Sequence, residues 1–87
     1  MSEKTDVITQ PVALTNAITK ATPEQVDTLW SILKYKEIGI YRKIKCMSSV
    51  LGLNFDKVVT DLPKDETGRI LDHKTRHLIH DILIKNS

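Results

Sequence analysis

Residues 22–33 read TPEQVDTLWSIL, and this stretch decides the fold. Thr22 places a hydroxyl where a helix leaves its first N–H groups unpaired, and Pro23 suits the first helical position because it has no N–H to satisfy. Gln25, three residues after Thr22, completes the pattern of a capping box, with Glu24 in the first turn. Val26, Leu29, Trp30 and Leu33 then recur at i, i+3, i+4 and i+7, which gathers them on one face. The spacing predicts a helix from Thr22 to about Lys36, where Gly39 weakens it.

Downstream, Ile40, Ile44, Met47 and Leu51 predict a second helix over 40–51, and Gly52 stands where a left-handed C-terminal residue belongs. Asn54 is placed to cap a short turn of helix carrying Phe55, Val58 and Val59, which Asp61, Leu62 and Pro63 bring to an end. The last helix is predicted over 64–85, with Lys64, Asp65 and Glu66 in its first turn. Leu71, Leu78, Ile79 and Ile82 form its buried stripe and Thr75 fills the gap. Gly68 is its weak point, since glycine inside a helix costs about 1 kcal/mol against alanine, and a break is expected there if anywhere. Upstream, residues 1–20 are polar and interrupted by Pro11. They are expected to form a flexible tail or, through Leu14, Ala17 and Ile18, a short helix.

The fold expected is therefore all-α: a small bundle of three main helices plus a short helix, occupying residues 21–87 behind a flexible N-terminal tail. Its core is expected to comprise Val26, Leu29, Trp30, Leu33, Ile44, Met47, Leu51, Phe55, Val58, Leu71, Leu78 and Ile82. With 87 residues the chain makes one domain, and folding hides only about 60–65% of the surface that the unfolded chain exposes. A core of that size leaves no room for a deep substrate cleft. Cys46 is the only cysteine, so no internal disulfide forms, and no apolar run is long enough to span a bilayer. A cytoplasmic protein is the expectation.

The side chains that could carry chemistry point to binding rather than catalysis. Cys46 lies within the second helix beside its apolar stripe, with no histidine near it in sequence, and is expected to pack there as a small hydrophobe. Asp65 and Glu66, like Asp56 and Asp61, suit helix starts better than acid–base work. Gly39, Gly52 and Gly68 make no phosphate loop. Neither an enzyme nor a cofactor site is expected.

His73, His77 and His80 share one face of the last predicted helix, turned away from its apolar stripe. Residues i and i+7 lie about 10 Å apart along a helix axis, too far for all three rings to reach one ion, so no metal site is expected. Ile70 and Ile84 flank the row, and the five residues together make a candidate partner-contact face. The second candidate surface is the segment 34–45. There Lys34, Lys36, Arg42, Lys43 and Lys45 stand against Glu37 alone, a positive stretch that the overall charge of +2 conceals. Lys36, Tyr41, Arg42, Lys43 and Lys45 interleave aromatic and cationic side chains, the types that stack on bases and meet phosphates, and are the candidate nucleic-acid contacts.

Two resemblances bear on function. The pattern Thr22-Pro23-Glu24-Gln25, Leu29, Ile38, Ile44, Val58, Asp61-Leu62-Pro63, Glu66 and Ile70-Leu71 resembles the helical module at the C-terminal end of phage single-strand annealing recombinases. The likeness covers residues 22–72 and leaves out that family's annealing core. It implies an accessory module that contacts a partner or DNA, without annealing activity and without catalytic residues. Residues 47–62, MSSVLGLNFDKVVTDL, look like the closing helix and turn of a repressor-type helix-turn-helix domain. The expected function is a small phage or mobile-element accessory protein that binds a larger host or replication protein. The alternative is a nucleic-acid-binding regulator that uses the segment 34–45.

Overall fold

The capping box forms as the sequence predicts. In the computed structural model, which describes residues 11–86, the Thr22 hydroxyl accepts from the Gln25 N–H at 3.1 Å, and the Gln25 side chain accepts from the Thr22 N–H at 2.9 Å. The Gln25 amide also donates to the Val50 carbonyl at 3.3 Å, which ties this helix start to a later helix. Five helices follow one another among the described residues: α1 (Val12–Lys20), α2 (Pro23–Lys34), α3 (Ile40–Leu51), α4 (Phe55–Thr60) and α5 (Asp72–Lys85). The all-α class expected from the sequence is the class observed.

Helix α1 is the short-helix alternative for residues 12–20, and it is packed. Leu14 and Ile18 are each 1% exposed and lie in the same apolar cluster as Leu29, Ile44, Met47 and Ile79. Among the described residues, 11–20 therefore pack against the same core as residues 21–86. The tail expected for residues 1–10 lies outside the described residues.

Local chemistry sets the junctions in the middle of the chain. Gly52 takes φ 69°, while its N–H donates to the Ser49 carbonyl and the Leu53 N–H donates to that of Ser48. This paired arrangement closes α3 and requires the left-handed residue that glycine supplies without strain. Two residues later the Asn54 side chain accepts from the Lys57 N–H at 3.1 Å and starts α4. The three residues between α3 and α4 thus stop one helix and start the next.

The last helix is shorter than expected, starting at Asp72 rather than at residue 64. One Asp65 carboxylate oxygen accepts from the Thr67 N–H, the Thr67 hydroxyl and the Arg69 N–H, at 2.9, 2.7 and 3.0 Å. The Thr67 hydroxyl, followed by the Arg69 N–H, holds that carboxyl below its ordinary pKa of 3.8. These bonds give the backbone partners other than a helix, and Gly68 at φ 87° completes a tight reversal. Lys64 and Ile70 face each other across it in an antiparallel bridge. The Lys64 ammonium donates to the Thr60 and Leu62 carbonyls and so covers the end of α4.

The buried side of α5 also differs from the stripe expected. Thr75, Ile79, Ile82 and Leu83 are buried, Leu78 is half-buried, and Leu71 becomes the residue before the helix. Trp30, Leu51 and Phe55, expected in the core, are only partly buried and pack against its outside. Thr75 is fully buried, and its hydroxyl is among the few buried side-chain polar atoms without a hydrogen-bond partner among the described residues. Such a group costs free energy that an isosteric methyl does not. Thr75→Val should therefore stabilise the fold by about 1 kcal/mol in urea melts. A lower midpoint with an unchanged slope would mean that the hydroxyl is paired.

Candidate binding surfaces

The basic segment does not form one surface. Lys43 is 5% exposed, and its ammonium donates to the Leu33 carbonyl at 2.6 Å. Leu33 lies in the last turn of α2, where carbonyls lack helical partners and a cation meets the negative end of the helix dipole. The sequence placed Lys43 among the nucleic-acid contacts because a charged residue in a basic run is ordinarily solvated. Its position one residue before Ile44 puts it instead on the side of α3 that faces α2.

The other four candidates are exposed and fall in two places. Tyr41, Arg42 and Lys45 stay together on the outer side of α3. The Tyr41 ring stands edge-on to Phe55 with centroids 5.1 Å apart, and the Lys45 ammonium lies 5.9 Å from the centre of the same Phe55 ring. Lys36 belongs to the α2–α3 connection and lines a cleft against the start of α5. Cys46 is exposed on the outer side of α3, not packed beside its apolar stripe as expected. Arg42, Cys46 and Ser49 recur at i, i+4 and i+7, and that spacing alone turns them outward together.

The histidine row is likewise divided. His73 and His77 stack with ring centroids 6.3 Å apart, whereas His80 meets Trp30 of α2 edge-on at 5.3 Å. Ile70 does not extend the row. It lies before α5, half-buried, in a separate cleft with Tyr41, Val59 and Arg69. The expectation of one face from Ile70 to Ile84 rested on a continuous helix, which the Asp65 turn prevents. Ile84 is 53% exposed near the end of α5. Among the described residues, no three His, Cys, Asp or Glu side chains converge as metal ligands would.

The structure assembles a surface that sequence reasoning missed. Along the seam between α2 and α5 runs an open groove of about 310 Å³, lined by Trp30, Leu33, Lys34, Arg76 and the three histidines. The Lys34 ammonium lies 5.4 Å from the centre of the Trp30 ring, and Arg76 Nε pairs with Asp72 at 2.7 Å. The signal was present, because Arg76 completes the spacing 73, 76, 77, 80 on α5 and Lys34 follows Trp30 by one turn. Only the pairing of the two helices joins them. None of the described helices is long and apolar enough to cross a membrane. No family model, curated protein or solved structure matches the chain.

The burial of Lys43 has a direct test. Lys43→Met keeps the bulk but leaves the Leu33 carbonyl unpaired, and should cost about 1–3 kcal/mol in urea melts. Arg42→Glu and Lys45→Glu should each stay within about 0.5 kcal/mol of the parent. A Lys43→Met midpoint equal to that of the parent would put the ammonium in solvent.

Proposed function

We propose that the protein is a small non-enzymatic accessory or regulatory module, of the kind carried by phages and mobile elements, and that it acts by binding a larger host or replication protein. The observation that supports this most is the make-up of the α2–α5 groove. Partly exposed aromatic surface from Trp30 lies between charged side chains of both signs, the mixture typical of protein contacts. The resemblance of residues 22–72 to a recombinase accessory module suits the same reading.

A nucleic-acid regulator is the second reading, favoured by the contact of Tyr41 and Lys45 with Phe55 beside Arg42. Two considerations weigh against it. With Lys43 committed to Leu33, the outer side of α3 offers only Arg42 and Lys45 to phosphates. In a helix-turn-helix arrangement α4 would be the reading helix, yet it and its C-terminal neighbour expose Asp56 and Asp61 against Lys57 alone. Carboxylates in that position repel a phosphate backbone.

Salt dependence separates the two readings. Two exposed cations release two counterions from single-stranded DNA, which sets a log–log slope of about −1.4 and weak binding. Titration of labelled single- and double-stranded oligonucleotides by anisotropy should give that shallow slope or no binding. Tight binding with a slope of about −4 or steeper, lost in the Arg42→Glu/Lys45→Glu variant, would replace the protein-partner reading with the nucleic-acid one.

A further inference from the structure

The α2–α5 groove does not end at Arg76. It shares Leu33, Lys34 and Arg76 with the cleft of about 770 Å³ at the α2–α3 connection, so the two form one channel from His80 to Ile40. Trp30, Leu33, Ile38 and Ile40 give this channel its apolar lining. Leu33 and Ile40 are buried, while Trp30 and Ile38 keep part of their surface open to an occupant. Its charged groups are Lys34, Lys36, Lys43 and Arg76 against Glu37 and Asp72, with the three histidines at one end. Lys43 is held by Leu33 and Arg76 is paired with Asp72, which leaves Lys34 and Lys36 as exposed ammonium groups on the rim.

We propose, on the basis of the protein-partner reading above, that this channel docks an acidic, amphipathic segment of the partner. Apolar side chains of that segment lie on Trp30 and Ile38, and its carboxylates meet Lys34 and Lys36. The arrangement selects against two other occupants. A basic segment meets the cations of the walls, Lys34, Lys36, Lys43 and Arg76. A nucleic acid finds only two exposed cations without a partner, Lys34 and Lys36, for its phosphates.

Trp30 is the only tryptophan in the chain, so its emission reports occupancy of the channel directly. The full chain is titrated with three probes: a synthetic peptide of alternating leucine and glutamate turns, the same peptide with lysine in place of glutamate, and oligo-dT. The acidic peptide should shift Trp30 emission and move the amide resonances of Leu33, Ile38 and Arg76. Its affinity should fall with added salt and drop at least about tenfold in Lys34→Glu/Lys36→Glu. If that double variant is less well folded by circular dichroism, Lys36→Glu alone should weaken binding in the same direction. Equal binding of the lysine peptide, oligo-dT in the channel, or no change at Trp30 with any probe would overturn the proposal. A partner protein that binds while leaving the Trp30 and Leu33 resonances unmoved would also overturn it, yet leave the protein-partner reading standing.

Discussion

The bond from the Lys43 ammonium to the Leu33 carbonyl is the constraint around which the two central helices are arranged. Arg42 and Lys43 stand in the first turn of α3, where the helix dipole disfavours cations, and Gly39 gives that helix no side-chain cap. The local cost is offset across the helix pair, because the same ammonium occupies the end of α2, where carbonyls are unpaired and a positive charge is favoured. Leu29, Ile44 and Met47, all fully buried, close the rest of the contact. Burial of a lysine in so small a core is tolerated because the charge has a partner and the long stem packs as hydrocarbon.

Everything outside this pair is placed by what remains to be covered. Leu14 and Ile18 of α1 and Ile79, Ile82 and Leu83 of α5 complete the same cluster from other sides. Leu62, just beyond the end of α4, is drawn into it as well. Since α5 reaches α2 on the side of Trp30, the seam between them is finished by side chains too large or too polar to be enclosed. The α2–α5 groove is thus a by-product of how a core short of aromatics is closed. Trp30 sits on its edge instead of at its centre.

The sequence made legible those features that act within a few residues. Thr22, Gln25, Gly52 and Asn54 fix helix ends through bonds to neighbours three or four positions away, and each was readable from residue type and spacing. The Asp65 turn was local too. It was misread because Lys64, Asp65 and Glu66 also suit a helix start, and only the acceptance of three donors by one carboxylate tips the balance. The candidate sites were less legible for a different reason. Whether Lys43 is solvated or bonded depends on Leu33, ten residues away. Whether the histidines face solvent or a groove depends on Trp30, which lies in another helix. Spacing assigns a residue to a face of its own helix and does not say what that face meets.

Residue-resolved native-state hydrogen exchange tests most directly whether α2 and α3 form the unit on which the rest depends. The slowest amides should be those of α2 from Leu29 to Leu33 and of α3 from Ile44 to Ser48, exchanging only through global unfolding, with α1 and the outer turns of α5 opening at lower free energy. If α5 holds the slowest amides while the last turn of α2 exchanges through local opening, the Lys43 bond does not organise the fold, and α2 with α3 is not the unit on which the other helices are built.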